Sequence, residues 1–441
     1  MLDQASTCAD AERSLIGTSR PIPTDILLDI LVHIHPAADM TIWQFRRTMA
    51  SLSLVCRSFR DVCHPHVYEY VSLQHAWPEY PGKADRLERW LDLLENQNPQ
   101  IILRSACVRY CTLSIQDWDA GRWRANDDPS RVQLSSQYST STDPGWIVAV
   151  AAFSNLQGLT LWNAGLSAEL VTTLATLSQL RALSLHSCRR VGAPPAVLPQ
   201  MHSPGVVSLE ISSTGWGDEW LTAILHLVDR SKLRSLKTND RALVLAILNG
   251  SGELELEELD MGIVLMAGES DFEIAVAEGI ARCPKLKMLA LQPRFGRLPL
   301  DLHKRALHSL TCNLDVANAS LPNKGEHFPV VHLNICGKLA SLAPDSQYVR
   351  HCLHRLADVM PPSLQHLTLP IETPEYFTPG FILRVPRLTL FMLILESGSI
   401  AGEFRACVVS IGPPTTSSRT QLTQTNRRLS REPARTSIAR R

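Results

Sequence analysis

The feature that most constrains this chain is a spacing. Apolar residues recur as L-x-x-L-x-L at Val108/Cys111/Leu113, Leu156/Leu159/Leu161, Leu180/Leu183/Leu185, Val206/Leu209/Ile211, Leu256/Leu259/Met261, Leu286/Leu289/Leu291, Leu307/Leu310/Cys312, Val330/Leu333/Ile335 and Leu364/Leu367/Leu369. A degenerate Leu233/Leu236 falls between the fourth and fifth sets. From Leu156 the starts are 24, 26, 27, 23, 30, 21, 23 and 34 residues apart, and 42 of the 64 leucines lie between Leu156 and Leu369. Side chains alternate across a strand, so the last two apolar positions of each set point one way and the residues around them point the other. Between the sets, segments such as Ala168 to Leu177 and Trp220 to Val228 carry helical spacing. A strand and a helix repeated about every 25 residues predict an α/β solenoid, each repeat burying its neighbour's leucines.

The period and the spacing resemble a leucine-rich repeat. Only Leu180 to Cys188 completes that pattern with Asn or Cys at the ninth position, which predicts an irregular solenoid over residues 146–411. The outward strand positions include Thr160 and Trp162, Ser184 and His186, Glu210 and Ser212, Ser235 and Lys237, Glu258 and Asp260. One aromatic, one imidazole and an acidic set suit recognition of a protein, with contacts spread over many repeats. Trp162, His186, Glu210, Lys237, Glu258 and Asp260 are the candidate target-binding residues. They lack the interleaved aromatics and basic stripe of a nucleic-acid surface.

Ahead of the repeats the pattern changes. Pro21-Ile22-Pro23-Thr24-Asp25-Ile26-Leu27-Leu28-Asp29-Ile30-Leu31 places proline and a capping Thr or Asp before apolar residues on one helical face. After a loop, helical spacing resumes from Thr41 to Val62 through Leu52, Val55, Cys56 and Phe59, with Arg57 and Arg60 on the other side. So few residues bury too little surface to stand alone, so the apolar face needs a partner or the rest of the chain. PIPTDILLDIL followed by ASLSLVCRSFRDVC resembles an F-box. The second half fits closely in Leu52, Val55, Cys56, Arg57, Phe59 and Arg60; the first departs in Ile22, and the connection through Asp39, Met40 and Trp43 is longer than usual. The resemblance implies a small N-terminal helical F-box over residues 21–66. It also implies that Pro23, Ile26, Leu27, Ile30, Leu52, Val55 and Phe59 dock on a Skp-type adaptor and, through it, on a cullin-RING scaffold. The expected role is then a substrate receptor of a ubiquitin ligase; an interaction protein or GTPase regulator with no ubiquitin role is the alternative.

The remaining segments frame these two. Residues 1–20 read as a flexible arm, and 67–115 as a linker helix with the first repeat strands. That helix runs from Lys83 to Gln97 on a stripe of Leu87, Trp90, Leu91 and Leu94, with Asn98-Pro99 stopping it. Residues 116–145, rich in Gly, Pro, Ser and Asp, read as a surface loop in which Trp118 and Trp123 could anchor a partner. Residues 412–441 hold seven arginines, one glutamate and no aromatic residue, the composition of a disordered basic tail.

Charge and motifs narrow the function classes. The 43 basic and 43 acidic side chains cancel, so no global field draws the chain to nucleic acid or anionic lipid. The apolar run Leu388 to Leu395 is far short of the ~18 residues a membrane span needs. Without a secretory start, the eleven cysteines are expected as free thiols in a cytoplasmic and/or nuclear protein. No phosphate loop, dinucleotide fingerprint, HExxH or nucleophile elbow is present, and Cys63, His64 and His66 lack a second metal-ligating pair. No cofactor, metal or catalytic residue is expected.

Overall fold

A strand in which every second residue is leucine must pair sideways and cover one face, and the chain does this repeatedly. The computed structural model describes residues 23, 25–27, 29, 42–75, 86–115, 144–195, 205–212, 217–250, 252–262, 270–291, 307–320, 330–336, 351–352, 354–356, 363–370, 390–396 and 404–410. The expectations for residues 1–20, Ile30, the loop tryptophans Trp118 and Trp123 and the tail 412–441 lie outside them. The described residues fall into two compact units, one of residues up to 115 with 144–158, the other from Leu159 onward.

The first unit begins with helical backbone at Asp25, Ile26, Leu27 and Asp29. The helical spacing from Thr41 to Val62 resolves into α1 (Ile42–Leu52) and α2 (Arg57–Tyr68), split by a turn at 53–55. Cys56 stands in extended backbone (φ −157°) and its Sγ accepts from the Phe59 amide at 3.5 Å, capping α2. Leu27, Phe45, Met49, Phe59 and Cys63 close into one core, with Leu52, Val62 and Val67 packed against it. Strand β1 (Tyr70–His75) follows, then α3 (Arg86–Glu95), α4 (Pro99–Cys107), β2 (Tyr110–Ile115) and α5 (Pro144–Ala152). β1 and β2 pair in parallel, Tyr70 opposite Tyr110, with those two rings stacked at 4.6 Å. Trp90 of α3 meets Phe153 edge-on at 5.8 Å.

The stop expected at Asn98-Pro99 has a second role. Asn98-Pro99 ends α3 but also starts α4: the Asn98 side chain accepts from the Gln100 amide, and proline at the first helical position lacks only an N–H that has no helical partner.

The second unit is α/β. Its main sheet runs in chain order through β3 (Gly158–Trp162), β5 (Ala182–His186), β7 (Ser208–Ser212), β8 (Ser235–Thr238), β9 (Glu258–Met261), β10 (Met288–Leu291), β11 (Ser309–Cys312), β12 (His332–Ile335), β13 (His366–Pro370), β14 (Leu390–Glu396) and β15 (Phe404–Ser410). The pairs from β5 to β14 are parallel; β15 closes the edge antiparallel to β14. A second, two-stranded sheet joins β4 (Gly165–Leu166) to β6 (Arg189–Arg190). The degenerate Leu233/Leu236 set is β8, a regular member of the ladder.

Register carries the leucines through this sheet. Leu183, Leu209, Leu236, Leu259, Leu289, Leu310, Leu333 and Leu367 sit opposite one another in turn, and each is at most 2 % exposed. Each such side chain contributes about 1.5–3 kcal/mol by leaving water. Between strands lie α6 (Ala168–Thr176), α7 (Asp218–Leu225), α8 (Arg241–Leu248), α9 (Ser270–Ala281) and α10 (Leu314–Ser320). Their inner faces bury residues at helical spacing, such as Leu243, Val244, Ile247 and Leu248 in α8. Short polar residues cap them: Ser167 accepts from the Leu170 amide, Asp240 from Leu243 and Asn313 from Val316. Gly279 lets α8 and α9 meet, since a Cβ there would stand 2.5 Å from the Leu248 Cβ.

Candidate binding surfaces

Leucine on one side of each strand leaves the other side to whatever the sequence places there. In β8, β9, β11 and β12 half-buried and buried residues alternate, so Lys237, Glu258 and Asp260 all lie on the face opposite the leucines. The cross-strand pairs Ser184 with Glu210, Glu210 with Lys237, and Lys237 with Asp260 set the middle row of that face.

At the end of this row Trp162 and His186 close β3 and β5. Their rings stack at 4.0 Å and 18°, leaving Trp162 44 % exposed while His186 is 9 % exposed. His186 Nδ1 lies 2.8 Å from Ser212 Oγ, and its Nε2 lies 4.0 Å from a Glu210 oxygen. The residues just beyond both strands, Asn163 and Ser187, take left-handed backbone at φ 55° and 52°. The Asn163 amide donates to the His186 carbonyl at 2.9 Å, tying the two turns together. The stack is therefore fixed by backbone as well as by ring contact.

Toward β9 the face becomes charged. Lys237 Nζ is 2.9 Å from Glu258 Oε1, and Ser235 Oγ donates to Glu258 Oε2 at 2.8 Å. Ser184 Oγ donates to Glu210 at 3.4 Å. The hydrogen bond with Glu258 holds the Lys237 ammonium above its ordinary pKa, aided by Glu210 and Asp260. Burial holds the Asp260 carboxyl above the usual carboxylate range; Lys237 opposes this shift, while Glu258 and Glu210 add to it. All six candidate residues thus lie on one face, with His186 between Trp162 and Glu210 at one end and Lys237 paired with Glu258 at the other.

The sequence reading missed a second feature of this face. His308, His332 and His366 form a row, with ring centroids 5.1 Å and then 4.3 Å apart. The signal was present: His332-Leu333 and His366-Leu367 occupy matching positions in their repeats. Burial, then His366 and His308, push the His332 imidazole below its ordinary pKa.

In the first unit the seven residues expected to dock on an adaptor divide. Leu27 is fully buried and Phe59 is 7 % exposed, both inside the helical core, while Leu52 is half-buried against it. Leu27 and Phe59 therefore belong to the core and are not exposed. Pro23 is exposed, Ile26 is 48 % exposed and Val55 66 %; Leu54, not singled out by sequence, is 78 % exposed. Leu54 and Val55 sit in the turn between α1 and α2, where Leu54 N–H donates to Ser51 O and Val55 N–H to Leu52 O.

Among the described residues, no group of three or more His, Cys, Asp or Glu side chains is placed to hold a metal ion. Nine cysteines among them are free, and burial pushes the Cys188 thiol up to about 12. No helix among them is long and apolar enough to cross a membrane. No family model and no curated protein matches the chain.

Proposed function

We propose that the chain is the substrate-recognition subunit of a cullin-RING ubiquitin ligase, with an F-box-like first unit and a second unit that is a leucine-rich-repeat solenoid. The observation that carries this reading is a small helical core, closed by Leu27, Phe45, Met49, Phe59 and Cys63, that still presents Ile26, Leu54 and Val55 to solvent. Apolar side chains left outside a completed core gain by docking on another apolar surface, about 1.5–3 kcal/mol for each one fully covered. The F-box-like spacing of Leu52, Val55, Cys56, Arg57, Phe59 and Arg60 names a Skp-type adaptor as that partner. The ring and carboxylate face of the second unit then holds a target protein. Catalysis by this chain is positional: it raises the effective concentration of a target lysine near a conjugating enzyme without supplying a reacting group.

Co-purification of the full chain with a Skp-type adaptor tests this. The wild type is expected to bind; Ile26→Asp and Val55→Asp are expected to abolish binding while keeping the wild-type thermal transition, because a carboxylate facing an apolar groove is costly only in the complex. Phe59→Ala serves as the core comparison and is expected to lose about 3–5 kcal/mol of stability. A folded wild type that fails to bind leaves a repeat-type interaction protein with no link to ubiquitin.

A further inference from the structure

The ion pairs of the second unit are unevenly balanced. Near the start of β9 and β10, Glu255 is matched by Lys285 at 2.6 Å, and Glu257 by Lys287 at 2.5 Å with Arg234 3.9 Å away. On the outer face, by contrast, three carboxylates (Glu210, Glu258 and Asp260) share one ammonium, Lys237. Lys237 bonds Glu258, and no described residue donates a hydrogen bond to the Asp260 carboxylate. The neighbouring strand adds no cation: Met288 and Ala290 stand opposite Glu258 and Asp260. Such a surface repels phosphate and anionic lipid and attracts a cation.

The aromatic end points the same way. One side of the Trp162 ring is occupied by His186, and the residue keeps 44 % exposure. An indole fixed in place by a stacked imidazole offers its open face to a guanidinium or ammonium. From β3 to β9 the sheet takes four strand steps, about 19 Å at ~4.8 Å each. An extended peptide crossing the strands covers that distance in about six residues at ~3.3 Å each. Six is an even separation, so both ends of such a segment turn the same side toward the sheet.

We propose that this face takes an extended cationic segment of a partner protein, with two arginine or lysine side chains about six residues apart. The first lies on the open face of Trp162, and the second lies at Asp260 and Glu258. The assignment rests on the reading of this face as the target-binding surface and names the chemistry of the target.

The test is fluorescence anisotropy of the full chain with a labelled Ser/Gly peptide carrying two arginines six positions apart, beside a peptide with glutamates at those positions. The arginine peptide is expected to bind at least about tenfold more tightly and to weaken as salt rises through the range where the Debye length falls below about 10 Å. Trp162→Ala is expected to weaken it about two- to fivefold, as the loss of one cation–π contact. Asp260→Asn is expected to weaken it while Glu255→Gln leaves it unchanged. Equal binding of both peptides, or an unchanged Asp260→Asn, overturns the cationic assignment alone. Failure of both peptides to bind also removes the face as a target surface, while leaving the adaptor test of the first unit unaffected. Binding that emerges only after deletion of residues 412–441 assigns the face to the chain's own arginines and overturns a partner segment.

Discussion

At the scale of the residue, neighbours one position apart have opposite fates. Ile26 and Leu27 are both apolar and both fit the helical spacing of their segment, yet one is 48 % exposed and the other wholly buried. Periodicity identifies the apolar stripe but does not fix which edge of it meets the core, because that depends on where α1 and α2 approach. Leu54 was illegible for a related reason: it lies in a turn, where side-chain direction follows no period. The outward positions of the strands were legible one by one, since a two-residue period leaves no choice. Asp260 belongs to this scale energetically. Burial raises its carboxyl in the folded chain, so the native state binds protons more readily than the unfolded state does. The stability of the wild type should therefore fall as pH rises from about 4 through the raised native value, and the deficit persists at neutral pH. Asp260→Asn should remove that decline and unfold at a higher temperature at pH 7. A lower melting temperature for the variant would mean that the carboxylate stabilises the strand. A group retained against stability is expected where a ligand supplies its partner.

The elements were read most securely where one residue type does one job. Each repeat set from Leu159/Leu161 to Leu367/Leu369 became a strand, and so did the degenerate Leu236, because the leucine ladder needs only one buried position per rung to hold its register. Segments with mixed roles were lost. Asn98-Pro99 reads equally as a stop and a start and serves as both. β14 and β15 lie past the last L-x-x-L-x-L set, where the expected solenoid of residues 146–411 carries no repeat spacing to place them. The histidine row is likewise a property of three elements together. Because burial and its two neighbours lower the His332 pKa, the unfolded chain takes up protons first on acidification. The contribution of His332 is fully present above the ordinary histidine pKa of about 6.5 and is lost as pH falls below it toward the lowered native value. His332→Gln should therefore flatten the loss of stability between pH 7 and 5, measured by chemical denaturation at each pH. A variant with the wild-type slope would show that other groups carry the acid sensitivity.

At the scale of the whole molecule, two units present two kinds of surface: exposed aliphatic side chains on a closed helical core, and rings with carboxylates on a leucine-backed sheet. Composition predicted neither, because a net charge of zero hides a local excess of three carboxylates over one ammonium. The repeat period supplied the second unit, and the F-box-like spacing supplied the expectation for the first. The account rests most heavily on the claim that the first surface receives an adaptor. Hydrogen exchange of the full chain, measured with and without a Skp-type adaptor, tests that claim directly. The account predicts slowed exchange at the amides of residues 25–29 and 53–56, with β5 to β9 unchanged. Unaltered exchange at both segments, or protection confined to the sheet, would contradict it.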